Sequence, residues 1–383
     1  MGCRKSDLIH RIFKANAQTL TVDGAESIGQ SVKCKGGLLM RARLGFLLLA
    51  LISLPLVGQQ GESISDAISV DIEVVNIPIT VTDKEGRFVS DLEQKHFEIY
   101  EDGQPVEIRY FTPSTSQDLK PRIRVGFLID LSNTARLYYK NYRDSIGDLA
   151  YLLVPEGGKN EGFLVGYHPE VDQLVDYTRD PYDIAEAMEK LKHGGGSAML
   201  DAVYMACHDK LLSSPYQGVD EPRKILVVVG DGHDNASNHT LDEVIFEAQR
   251  QQVTIYSIST VAWGFHEKEE KALYRLAKET GGMVGTPMQD VHTDVAGYLS
   301  KPQDAGNYQY EVGTGLYARA QLAALYKAIL GVSGNVMGQY ILGFTPLTPF
   351  SDPTYRKLNG KVVVPAGIDI HARAGYYPPP HAQ

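Results

Sequence analysis

Near its start the chain alternates apolar and polar residues with a period of two. Val70, Ile72 and Val74 alternate with Asp71 and Glu73, and Ile77, Ile79 and Val81 alternate with Pro78, Thr80 and Thr82. That is the pattern of half-buried strands, and its change of phase at Val75-Asn76 predicts a bulge. Asp83-Lys-Glu-Gly86 predicts a turn, Phe97–Tyr100 a short strand, Asp102-Gly103 a hairpin turn and Val106–Phe111 the returning strand. With no helical pattern between them, residues 66–112 read as a small β-sandwich-like module. Its polar groups do not converge, which makes it a packing module.

After a Ser/Thr/Pro linker, Pro113–Pro121, the pattern changes. Val125–Ile129, Phe163–Tyr167, Ile225–Val229 and Val253–Ile258 are largely apolar runs without alternation, as strands covered on both faces require. Val171–Val175 reads as a strand antiparallel to Phe163–Tyr167, because only His168-Pro169-Glu170 separates them. Helices are predicted over Tyr139–Leu153, from Asp180-Pro181 with the proline at its favoured first position, and after Ser197. Another runs from Thr240 to Arg250, opened by a Thr240/Glu243 capping box. Leu273, Leu276 and Ala277 mark a further helix that Gly281-Gly282 ends. Leu322, Leu325, Tyr326, Ile329 and Leu330 predict an amphipathic helix, Gln339–Phe344 a strand, and Lys361–Val364 with Ile368–Arg373 a terminal hairpin. Residues 285–315 form a long irregular stretch, the kind that is functional or disordered inside a domain. Strand and helix alternating in this way predict an α/β fold with a doubly wound, mostly parallel sheet over 122–377, behind the N-terminal all-β module.

Composition changes this picture mainly at the N-terminus. Met40-Arg-Ala-Arg43, the apolar run Leu44–Leu56 and the small exit Val57-Gly58 have the plan of a secretory signal peptide, too short for the ~18–20 residues of a membrane span. Residues 40–58 are therefore expected to be cleaved near Gly58, with 1–39 an upstream extension outside the mature protein. That places the mature chain in a secreted, periplasmic or cell-surface location. Loss of 1–58 removes eight Lys/Arg and three Asp/Glu and takes the net charge from −10 to −15. Cys207 is then the one cysteine left, so no internal disulfide holds the fold. The acidic balance and the lack of a basic stripe exclude a nucleic-acid binder.

Chemistry-bearing residues gather at strand ends. The Val125 run ends in Asp130-Leu-Ser132-Asn-Thr134, and the Ile225 run ends in Gly230-Asp231. Gly194-Gly-Gly-Ser197 delivers a third hydroxyl just before a helix. Carboxyl ends of strands are where open α/β sheets bind ligands. A set of oxygen ligands alone suits a hard divalent cation, although an Asp followed by Ser and Thr also serves as a helix N-cap. His233 and His239 have no well-spaced third ligand for zinc and read as part of a solvated loop.

The set Asp130-x-Ser132-x-Thr134, Ser197 and Asp231 resembles the metal-ion-dependent adhesion site of von Willebrand factor type A (VWA) domains. Thr134 stands where that family usually has Ser, Ser197 where it has Thr, and Gly230 where a Ser often precedes the Asp. More loosely, Val81-Thr-Asp83, Phe97–Gly103, Gln339–Phe344 and Ala374–Tyr377 resemble a group of secreted bacterial proteins, best represented in Acidobacteria, with a β module before a VWA-related domain. The resemblance implies a Mg²⁺ site, with Mn²⁺ or Ca²⁺ as substitutes. Ser132, Thr134 and Ser197 would contact the metal, Asp130 and Asp231 would supply charge, and an acidic side chain of a protein partner would complete the shell. The alternative is a scaffold domain that binds no metal. A hydrolase is disfavoured: an aspartyl phosphatase needs a second Asp where Ser132 stands, and neither Gly-x-Ser-x-Gly nor a strand-linked Gly-x-Gly-x-x-Gly is present.

Overall fold

The computed structural model describes residues 73–84, 87–135, 139–212, 221–261, 267–287, 316–362 and 368–378. The expected signal peptide, the upstream extension, Val70–Ile72 and most of 285–315 lie outside the described residues.

At the centre is a six-stranded sheet built from β5 (Ile123–Asp130), β6 (Glu161–Tyr167), β7 (Val171–Thr178), β8 (Arg223–Gly230), β9 (Val253–Ser259) and β10 (Val284–Gly285). Its order is β10-β9-β8-β5-β6-β7, parallel throughout except for β7 against β6, which the three-residue connection dictates. Helices α1 (Tyr139–Leu153), α2 (Pro181–Met188) and α6 (Leu316–Met337) cover one face. There Ile146, Leu149, Leu153, Ile184, Leu325 and Ile329 pack on Val125, Phe127 and Ile129. Helices α3 (Met199–Met205), α4 (Leu241–Arg250) and α5 (Glu267–Thr280) cover the other, where Met199, Val203, Val244 and Leu276 pack on Leu128, Val165, Leu226 and Val228. The doubly wound α/β architecture is therefore present, and the strand order reverses between β5 and β8.

Local signals hold where the chemistry is local. Asp180 caps α2, accepting from Tyr182 N at 2.9 Å. The Thr240/Glu243 box opens α4. Gly281, at φ +85°, ends α5, and Asp102 and Gly103 both have positive φ, as a two-residue hairpin turn requires. Cys207 is a buried free cysteine, and burial pushes its thiol pKa up.

The β part departs from the expectation of a module made from one end of the chain. β1 (Val75–Asp83) pairs with β11 (Tyr340–Phe344) over Val75–Ile79 and with β13 (Ile368–His371) over Thr80–Asp83. Pro78 thus falls where β1 has a neighbour on one side only, which suits its missing N–H. β2 (Phe97–Glu101) pairs with β3 (Gln104–Val106) and β12 (Arg356–Val362), and β12 with β14 (Gly375–Tyr376). β4 (Ile108–Thr112) pairs with β11. Two four-stranded sheets, β13-β1-β11-β4 and β14-β12-β2-β3, enclose one core around Ile77, Ile79, Phe97, Ile99, Leu342 and Phe344. The returning strand expected over 106–111 divides at Glu107 between these sheets. Among the described residues β12 and β13 pair in different sheets and not with each other as the expected terminal hairpin. Hydrophobic alternation marks a strand's buried face but does not name its partner.

The α/β part is inserted between the neighbouring strands β4 and β11. Its entrance is less free than a Ser/Thr/Pro linker suggests. Ser114 and Lys120 are buried, and Lys120 Nζ donates to Ser114 O at 2.6 Å and Met337 O at 2.5 Å, clasping incoming and outgoing chain. In α6, Leu322, Tyr326 and Leu330 are exposed, whereas Leu325, Ile329, Val332 and Val336 are buried. The helix is apolar nearly all round, so its own pattern could not select the packed face.

Candidate functional site

Asp130 is the last residue of β5, and Asp231 directly follows β8. These two strands flank the point where the sheet order reverses, the crevice in which open α/β sheets bind ligands. Three loops meet there. The loop after β5 and the glycine turn are stitched by Gly194 N to Leu131 O at 2.9 Å and Asn133 N to Gly195 O at 3.2 Å. The glycine turn and the loop after Asp231 are stitched by Asn235 N and Ala236 N to Ser197 O, both at 3.0 Å, and by Ser197 N to Asn235 Oδ1 at 2.9 Å. Gly195, at φ +80°, makes the turn. A Cβ on Gly196 would lie 2.4 Å from Asn235 Oδ1, so the crossing needs glycine there.

Four of the five sequence-picked residues form one hydrogen-bonded chain. Asp130 Oδ1 accepts from Ser132 N at 2.8 Å, so its carboxylate orders the loop. Ser132 Oγ lies 3.0 Å from Thr134 Oγ1, and Thr134 Oγ1 donates to Asp231 Oδ2 at 3.1 Å. Asp231 Oδ1 accepts from His233 N at 2.9 Å. Asp130, Ser132 and Ser197 are buried, whereas Thr134 is exposed and Asp231 half-buried, so the set runs from the sheet edge out to solvent. Burial pushes the Asp130 carboxyl up to about 6. Its Ser132 hydrogen bonds oppose that rise, and the charge of Asp231 adds to it.

The fifth residue, Ser197, is brought to the same place through its backbone, but its hydroxyl is buried with no hydrogen-bond partner. It does not cap α3 either: the cap position is Ala198, with no side-chain bond. A buried hydroxyl without a partner is costly, and a bound cation would give this one a role. The donor set of hydroxyls and carboxylates fits a hard cation. Among the described residues no group of three or more His, Cys, Asp or Glu is placed to hold a metal ion, so any cation here would rest largely on hydroxyls.

Two neighbours escaped the sequence reading. Tyr167, paired with Asp130 across the sheet, is fully buried and donates its phenol to Val229 O at 3.0 Å. A Cβ on Gly230 would lie 2.2 Å from that phenol oxygen and 3.3 Å from Asp130 Oδ2. The aromatic side chain thus fills the space that a residue larger than glycine would need before Asp231. Asn235 is the other, hidden in a loop whose composition reads as solvated. His239 of that loop stacks on Tyr204 with ring centroids 3.8 Å apart and bonds Asp201, which ties it to α3.

No family model matches the chain, and no curated protein matches it. Solved structures overlap it in part. The conserved hypothetical protein BatB from Bacteroides thetaiotaomicron is 13% identical, covering 47% of this chain and all of that one, with a TM-score of 0.34. A von Willebrand factor type A protein from Catenulispora acidiphila is 12% identical, covering 56% of this chain and 46% of that one, with a TM-score of 0.36. Proximal thread matrix protein 1 from the mussel byssus, with a zinc-occupied MIDAS motif, is 17% identical, covering 43% of this chain and 41% of that one, with a TM-score of 0.35. The chain therefore spans less than half the length of the second and third. At these scores the likenesses carry no argument, and the site stands on its own geometry.

Proposed function

We propose that this is a secreted, metal-dependent protein-binding module of the VWA type. In this reading a Mg²⁺ ion is held by Ser132, Thr134 and Ser197, with Asp130 and Asp231 supplying charge, and an acidic group of a partner protein completes the shell. The observation that carries it is the buried, partnerless Ser197 hydroxyl beside a continuous Asp130–Ser132–Thr134–Asp231 chain at the reversal point of the sheet. Two carboxylates drawn together, one of them buried, also favour a cation between them. Mg²⁺ retains several waters and is held by few protein charges, which leaves a position for an incoming carboxylate. The metal supplies a Lewis-acidic anchor, the loops fix its ligands, and no bond is made or broken. Among the described residues no helix is long and apolar enough to cross a membrane.

Calorimetric titration of Mg²⁺, then Mn²⁺, into the metal-stripped protein tests the proposal. One saturable site lost in Asp231→Ala is the expected result. Absence of binding would leave a scaffold domain.

A further inference from the structure

At the opposite end of the sheet, a cavity of about 40 Å³ opens where the α/β part meets the β-sandwich. Asn76 of β1, Arg223 and Lys224 of β8, Gln252 before β9, and Arg373 after β13 all line it. Four buried polar atoms in this lining have no hydrogen-bond partner: Arg223 Nε, Arg373 Nε, Gln252 Nε2 and Asn76 Oδ1. Arg373 is only 8% exposed, and another of its guanidinium nitrogens donates to Asn76 O. Arg223 uses Nη1 on Val336 O at 2.7 Å and Gln339 Oε1 at 2.8 Å. Both guanidinium groups are thus fixed by these bonds while their Nε–H groups are left over. A half-turn of the Asn76 amide, which exchanges its oxygen and nitrogen, would present a further donor.

Three cationic side chains face one carboxylate in the lining, Glu221, and that one pairs with Lys224 at 2.9 Å. Burial pulls Arg223 and Arg373 down to about 10 and Lys224 down to about 8, and the charge of Arg373 presses Lys224 in the same direction. Water would satisfy the N–H groups but leave the excess charge uncompensated, and buried charge needs a counter-charge. A water needs roughly 10–15 Å³, so the volume suits a few waters or one monatomic anion.

We infer that this junction binds a small inorganic monoanion of the halide class, held by the Nε–H groups of Arg223 and Arg373 and the side-chain amide of Gln252. The anion joins β8 and the α4–β9 turn of the α/β part to β1 and the residues after β13 of the sandwich. It is independent of the metal site.

The test compares thermal unfolding of the full protein in sodium chloride and in sodium gluconate at equal ionic strength, alongside ³⁵Cl NMR line width. Chloride at ten times its Kd is expected to raise Tm by about 2–4 °C, with protein-dependent ³⁵Cl broadening. Arg373→Gln should remove both effects, but it risks the fold. Asn76→Asp keeps the volume and supplies a tethered negative charge, so it should raise Tm in gluconate and abolish the chloride response and the broadening. Equal Tm values in the two salts with no excess ³⁵Cl broadening would overturn the inference and leave a water-filled cavity. So would an Asn76→Asp variant that keeps the full chloride response.

Discussion

Strand β8 has opposite electrostatic conditions at its two ends. Past its C-terminal end, Asp231 joins Asp130 among hydroxyls that rise from the buried sheet edge to solvent. At its N-terminal end, Arg223 and Lys224 join Arg373 under the sandwich. Both ends gather like charge and leave a polar side-chain atom without a partner. They differ in how much of that charge the protein answers itself. At the carboxylate end Ser132 and Thr134 bond the acids, and of the five site residues Ser197 alone has a buried side-chain atom without a partner. At the basic end four atoms are unused. On the two proposals, the partnerless atoms mark where each cluster of charge would take its ligand, and their number separates a nearly self-satisfied site from one that is not.

The largest expected effect breaks one end and spares the other. Ser132→Ala/Asp231→Ala should lower Mg²⁺ affinity at least ~100-fold by calorimetry, while the chloride dependence of Tm stays as in the parent. Persistence of metal binding and of any metal-dependent partner binding in this variant would refute the Mg²⁺ assignment. Next in size is Gly230→Ser, which drives a side chain into the Tyr167 phenol. It should cost about 1–3 kcal/mol in urea unfolding, and Tyr167→Phe in the same chain should recover part of the loss. Ser197→Ala is a smaller and more telling change. In EDTA it should leave stability unchanged or raise it by about 1 kcal/mol, because the hydroxyl it removes has no partner. Mg²⁺ affinity should nonetheless fall by at least about tenfold. Ser197→Ala that destabilises the metal-free protein would mean that the hydroxyl has a structural bond.

The smallest effect is a pH slope. Burial first, and the charge of Arg223 second, pull Lys120 down to about 7. The unfolded chain then binds more protons than the folded one between about pH 7 and the ordinary lysine value near 10.4. Stability contributed through this group therefore rises with pH across that window. Lys120→Met should flatten that part of the slope in urea midpoints measured from pH 7 to 9.5, and an unchanged slope would place the titration elsewhere.

Much of this was readable from residue order because the interactions involved are local. The Asp130 and Asp231 runs are apolar enough to be strands buried on both faces, and a strand's end fixes where its next carboxylate lies. Capping at Asp180 and Thr240 needs only neighbours in sequence. Tyr167 was opaque because a tyrosine ending an apolar run looks like core; its bearing on the site comes from cross-strand register with Asp130, which no single segment encodes. Asn235 was hidden for a similar reason, since its backbone and side-chain bonds reach Ser197, 38 residues away. The exposed stripe of α6 shows the limit of periodicity when a helix has apolar residues on more than one face. Arg223 and Arg373 are far apart in the chain and meet only because β1, β8 and the segment after β13 converge.

That convergence has a consequence for how the chain reaches its native state. In the sandwich β1 lies between β11 and β13, partners some 250 to 300 residues downstream. The interposed α/β part has mostly near-neighbour strand pairs and can gather its own core as soon as it is complete. The strands before it cannot close their sheets until β11 to β14 exist. Long-range pairing of this kind slows folding and leaves strand edges open in the meantime. During synthesis Val75–Thr112 therefore waits as an unfinished half-sandwich, and the late C-terminal strands are the ones that seal it.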